Sequence, residues 1–296
     1  NYGVDIHFIT GGTLTNLTFL SHALRPYEAV ISADTGHINT HETGAIEASG
    51  HKVLSIPCTD GKLTADLIRP VLKQHENEHW VEPRLVYISL PTELGTVYTK
   101  EELEKLYQFC KRHNLYLYID GARLAMALAV EETQLTLKDL PDLCDAFYIG
   151  GTKNGAMFGE ALILVNDDLK DHFRFNMKQR GAILAKGWMI GVQFEELFQD
   201  NLYLELGKRS VALAQRLKEG FIDCKIPFLC DSPTNQLFPI FPNEFAKKIN
   251  ENYVTTFQCK PDENHTCLRF CTSWATNEQA VEDFIKDLKK WSYIYA

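Results

Sequence analysis

The sequence predicts an α/β protein: a large domain built on a mostly parallel sheet with helices on both faces, followed by a smaller C-terminal α+β domain. Three observations carry this. Short apolar runs alternate with helical patterns through most of the chain. Glycines mark the places where several of these runs end. Beyond about residue 204 the alternation gives way to a long helix and several short strands, so the expected division is 1–204 and 205–296.

The elements follow in order. "VDIHFIT" reads as a strand and precedes the helix "TLTNLTFLSHAL"; "EAVISAD" precedes "HINTHETGAIEAS"; "KVLSIPC" precedes "TADLIRPVLKQHEN". "RLVYISL" is followed by "TKEELEKLYQFCKRH", and "LYLYID" by "GARLAMALAV". "DAFYIGGT" and "EALILVN" lie too close together for a crossover helix and predict an antiparallel pair. The helix "NLYLELGKRSVALAQRLKEG" opens the second domain, with short strands at "NQLFPIF", "TTFQC" and "CLRFCTSW" and a last helix "NEQAVEDFIKDLKKW". There is no internal repeat or low-complexity tract.

With 45% hydrophobic and 23% charged residues in 296, the chain can bury a sizeable core. A net charge of -9 argues against nucleic acid or an anionic membrane as partner. The eight cysteines are scattered, without a C-x-x-C pair or zinc-knuckle spacing, and read as reduced, mostly buried thiols of a cytoplasmic protein. No apolar stretch is long enough to span a bilayer. Asn1 leads almost at once into a strand, an abrupt start that suggests an upstream segment.

Three features stand at strand ends, where α/β sheets bind ligands. In "ITGGTLTNL", Gly12 and Thr13 open a helix whose free N–H groups suit a phosphate, although glycines also serve ordinary turns. No Walker loop and no G-x-G-x-x-G is present. In "LYLYIDGARLA", Asp120 ends an apolar strand; it could cap the next helix or pair with a buried cation. In "AFYIGGTKNG", Lys153 stands among glycines; it could point into water, or be desolvated and attack a carbonyl. A phosphate nest, a carboxylate and a reactive lysine are together what pyridoxal phosphate requires.

The runs "DGARLAMA", "GGTKNG", "GHINTHETGA" and "TSWAT" make the chain resemble the threonine aldolase group of the β-eliminating lyase family, over nearly its whole length. The resemblance implies the fold type I architecture of pyridoxal 5'-phosphate enzymes, with Lys153 bonded to the cofactor, Asp120 paired with its ring nitrogen, and Gly12 and Thr13 on its phosphate. It implies further that His37 stacks on the ring near the substrate side chain, that Arg123 sits beside the ring, and that Arg269 binds the substrate carboxylate; His37, or a water it positions, is the candidate base. A dimer or tetramer is implied as well. On residues alone, Arg269 could instead pair with an acid, and His41 reads as a surface histidine. His37 and His41 lack a third ligand at metalloprotease spacing, so no metal is expected.

One departure concerns the base. Some threonine aldolases carry "ENTH" where this chain has "PTELGT", which puts Glu93 at the substrate pocket. The expected activity is cleavage of a β-hydroxy-α-amino acid, most simply threonine, to glycine and an aldehyde. β-Elimination, racemisation and transamination start from the same cofactor adduct, and a non-catalytic relative would keep the fold.

Overall fold

The computed structural model describes residues 3–295, so Asn1 lies outside it. The large domain begins with β1 (Asp5–Ile9), α1 (Gly12–Ala23), β2 (Glu28–Ala33) and two single turns, α2 (His37–Thr40) and α3 (Ala45–Ala48). It continues through β3 (Val53–Ile56), α4 (Ala65–Gln74), β4 (Glu82–Ser89), α5 (Lys100–Arg112), β5 (Tyr116–Asp120) and α6 (Leu124–Leu128). Then come β6 (Ala146–Gly150), β7 (Glu160–Leu164), α7 (Phe173–Gln179) and α8 (Trp188–Leu197).

These strands form one sheet of order β1-β7-β6-β5-β4-β2-β3. Strands β2 to β6 pair in parallel, and β7 lies antiparallel between β6 and β1. The expected "DAFYIGG"–"EALIL" pair is therefore present, with Gly150 opposite Glu160. Because β7 runs backwards, its first residue reaches the same edge as the last residues of β5 and β6. Asp120, Gly150 and Glu160 thus meet at one end of the sheet.

Alternation along the strands separates two cores. Leu117 and Ile119 of β5 face α5 through Leu103, Leu106 and Phe109, while Tyr118 faces α1 through Phe19. That period-two division is the physical content of the pleat: residues i and i+2 share a face. Helix α5 starts sharply because Thr99 and Glu102 form a reciprocal capping box.

The expected helix over "HINTHETGAIEAS" is broken. Thr43 and Gly44 take positive φ of 53° and 70°, which stops α2 after one turn and starts α3 afresh. The break turns Glu42 inward, where it is 5% exposed.

Helix α9 (Leu202–Asp223) crosses the expected boundary at 204/205. Its first half packs on α6, with Gly207 against the Ala125 backbone. Its second half joins the small domain of β8 (Gln236–Leu237), β9 (Ile240–Pro242), α10 (Asn243–Asn252), β10 (Thr256–Cys259), β11 (His265–Cys271) and α11 (Glu278–Tyr295). Strand β11 pairs with β8, β9 and β10, all antiparallel, and Phe221, Phe241, Leu268 and Phe284 fill the core beneath.

Candidate active site

Asp120 ends β5 on the face occupied by Tyr87, Tyr118 and Tyr148, each at most 1% exposed. Its Oδ1 accepts the Ala122 N–H at 3.0 Å, a turn-type bond that holds the chain entering α6. Its Oδ2 accepts the Tyr87 hydroxyl at 2.6 Å and Asn16 Nδ2 at 3.0 Å. Asp120 is thus both a local turn former and the centre of a buried polar cluster. Burial holds the three phenols well above their ordinary value, so all three stay neutral donors beside it.

Above this cluster stands α1. Its N-cap, Gly11, contributes no side-chain cap, and Thr13 is exposed in the first turn. The leading N–H groups of a twelve-residue helix therefore remain open to an anion. Tyr148 Oη lies directly below, 3.1 Å from where a side chain on Gly12 would begin.

His37 opens α2 at the end of β2. Its Nδ1 donates to Glu42 Oε1 at 2.7 Å, and its backbone N–H donates to Glu93 Oε1 at 2.8 Å. The bond to Glu42 raises the imidazole above its ordinary value of 6.5, against the effect of burial. It also fixes the tautomer and leaves Nε2 free to act. His41 is exposed and stacks on His37, ring centroids 5.4 Å apart.

Glu93 commits one carboxylate oxygen to the protein itself. Its Oε1 takes the His37 N–H and the Ser89 hydroxyl, the latter at 2.6 Å. Burial raises this carboxyl above the usual range. The residue braces the start of α2 from the loop after β4.

Lys153 projects from the β6–β7 loop and makes no hydrogen bond or ion pair among the described residues. Burial lowers it below the ordinary lysine value, Arg123 lowers it further, and Asp120 and Glu160 oppose both. The lysine is therefore predisposed to lose its proton, as a nucleophilic amine must. Arg123 lies at the start of α6 with Nη2 3.9 Å from Cys271 Sγ. Arg269, on the same face of β11 as Cys271, forms no ion pair among the described residues, and its buried Nε has no partner. Burial lowers His41, and His37, Arg269 and Lys153 lower it further, while Arg123 acts on Lys153, so these side chains border one space.

The structure thus gathers Gly12, Thr13, His37, Asp120, Arg123, Lys153 and Arg269 at one edge. It adds residues that the sequence reading did not single out: Asn16, Glu42, Tyr87, Tyr118 and Glu160. Among the described residues no group of three His, Cys, Asp or Glu is placed to hold a metal. Among these residues no helix is long and apolar enough to cross a membrane. Of the cysteines, Cys58, Cys110, Cys144 and Cys267 are buried, whereas Cys271 is exposed at the site.

Comparisons with known proteins agree with this geometry. The family described as Beta-eliminating lyase matches residues 2–241. A low specificity L-threonine aldolase of Pseudomonas aeruginosa is 30% identical, over 96% of this chain and 82% of that protein. The solved structure of Leishmania major threonine aldolase superimposes with a TM-score of 0.96 at 51% identity, covering 98% of this chain and 85% of that one. An Escherichia coli protein with methionine aminotransferase function shares the fold at a TM-score of 0.75 and 15% identity, over 97% of this chain and 77% of that one. The chain belongs to the β-eliminating lyase family.

Proposed function

We propose that the chain is an aldehyde-lyase that cleaves β-hydroxy-α-amino acids, threonine foremost, to glycine and acetaldehyde. The observation that carries this reading is Lys153: desolvated, without a hydrogen-bond partner among the described residues, and facing Asp120, Arg123 and His37. The relatives named threonine aldolase favour this reaction over others on the same scaffold.

The cofactor is pyridoxal phosphate, and the residues present fit it. The uncapped start of α1 at Gly12 and Thr13 would hold the phosphate, Asp120 the ring nitrogen and Lys153 the aldehyde carbon, with His37 and Arg123 against the ring. The partnerless Arg269 Nε fits a substrate carboxylate, which a guanidinium grips in bidentate fashion. When bound, the cofactor supplies an electron sink for the charge left at Cα.

The chain's own residues do the rest. Arg269 orients the amino acid by its carboxylate. His37 Nε2, directly or through a water, removes the proton from the β-hydroxyl as the Cα–Cβ bond opens, a contribution of typically ~10²–10⁴ in rate. Glu42 holds the imidazole through Nδ1 and offsets the positive charge that His37 acquires. Asp120, kept in place by Tyr87 and Asn16, would hold a proton on the ring nitrogen. Glu93 contributes by bracing His37, and its second oxygen could reach a substrate hydroxyl.

The test is a product assay on the purified chain with pyridoxal phosphate. Glycine and acetaldehyde from threonine are expected. Pyruvate, 2-oxobutyrate or racemised substrate in their place would overturn the reading.

The division into domains at 1–204 and 205–296, a cytoplasmic location and a homodimer or homotetramer are parts of the same proposal. Exposed Ile6, Leu184 and Trp188 line one groove and support self-association. Light scattering that gives a monomer at micromolar concentration would rule the oligomer out.

A further inference from the structure

Glu160 has no part in the chemistry above, yet it is a carboxylate at the site with only 4% of its surface exposed. It begins β7 opposite Gly150, and its Oε2 accepts the Gly151 N–H at 2.7 Å. Thr152 Oγ1 accepts the Gly159 N–H at 3.1 Å. These two bonds tie together both ends of the loop that carries Lys153. The loop is tight: a Cβ on Gly151 would fall 2.6 Å from Gly159 O, and Gly159 takes φ of 105°.

A carboxylate buried this deeply is costly even with donors unless a cation also faces it. Burial pushes Glu160 up to about 7, against the hydrogen bonds from the Thr152 side chain and the Gly151 N–H and, after them, the charge of Lys153. The titratable groups that face it are Lys153 on its own loop, Asp120 and Tyr118 on β5, Tyr148 on β6 and Tyr203 on α9. Lys153 is the cation of that set. The tyrosines are buried and neutral, and Asp120 repels.

We propose that Glu160 is a positioning residue for Lys153, fixing the loop from which the lysine projects and supplying the negative charge that holds a proton on its nitrogen. The proposal rests on Lys153 being the cofactor lysine.

The experiment compares wild type with Glu160→Gln, which keeps an acceptor for Gly151 N–H but removes the charge. Each is loaded with pyridoxal phosphate, and its visible absorbance is titrated against pH. The midpoint should fall by about half a pH unit or more in Glu160→Gln, and Glu160→Asp should restore most of it. A purely structural acceptor would leave the midpoint unmoved. An unmoved or rising midpoint in a folded Glu160→Gln overturns the proposal. Should that variant not fold, carbon-13 NMR of the loaded wild type decides: a Glu160 carboxyl that titrates independently of the absorbance midpoint overturns it equally. Borohydride labelling separates the two claims, because a label on a lysine other than Lys153 sinks the cofactor reading together with this proposal. A label on Lys153 with an unmoved midpoint sinks only the role of Glu160.

Discussion

Glu42 and Asp120 are joined through one amide: Asn16 Nδ2 donates to Glu42 Oε1 at 2.7 Å and to Asp120 Oδ2 at 3.0 Å, while Asn16 Oδ1 accepts the Tyr118 hydroxyl at 3.0 Å. The two carboxylates serve opposite sides of the site. Glu42 holds His37, and Asp120 faces the cofactor nitrogen.

Asn16→Ala should therefore cost more than a surface helix position would. Both carboxylates lose a buried donor, a loss of about 2–4 kcal/mol for the pair. Urea unfolding at neutral pH measures it. A cost below about 1 kcal/mol would show that the amide is not what keeps the two acids together.

Glu42→Gln should lower the titration midpoint of His37, because the bond to Glu42 is the largest cause of its elevation. Histidine resonances followed by NMR report the change directly. The linked stability has a definite sign. A histidine raised above 6.5 on folding contributes stability fully present below that value and lost as pH rises through the elevated one. The difference in Tm between wild type and Glu42→Gln should accordingly narrow as pH rises from below 6.5 through the raised midpoint of His37. A difference that grows over this range would contradict the pairing.

Lys153→Ala should abolish turnover while the fold remains, since the side chain makes no hydrogen bond or ion pair among the described residues on which folding depends. Asp120→Asn retains the shape and the Tyr87 contact but not the charge, and should lose most of the rate, about 10²-fold or more. Circular dichroism alongside steady-state kinetics separates these losses from unfolding. Near-normal activity in either variant would refute the proposed roles.

Gly207→Ala tests how α9 is seated on the large domain. An added Cβ would lie 2.6 Å from Ala125 O, so the helices must move apart. Overpacking of about 1–3 kcal/mol should outweigh the roughly 1 kcal/mol that alanine gains over glycine in a helix. A Tm equal to or above that of wild type would show that α6 and α9 slide without cost.

Much of the fold and part of the site were legible in the residues. Strand and helix alternation, the antiparallel β6–β7 pair and the long helix near residue 204 follow from local pattern, because pleat and helix periods are properties of the chain itself. Lys153 and Asp120 were conspicuous because each follows an apolar run, Asp120 beside Gly121 and Lys153 two residues from both Gly151 and Gly155. The single helix expected at residues 37–49 failed at Thr43 and Gly44, where turning Glu42 into the interior outweighs helical continuity.

What the sequence by itself determined is the order of elements and the types of group at strand ends. Only the tertiary structure decided which of those groups meet. Asn16 lies in a helix, Tyr87 and Tyr118 in the bodies of strands, and Glu160 at the start of a strand, so each reads locally as an ordinary occupant. Their functions depend on parallel strands placing residues distant in sequence on one face of the sheet, and on a low-polarity interior in which every buried acid must find a donor or a cation. Those are properties of packing, which no local pattern contains.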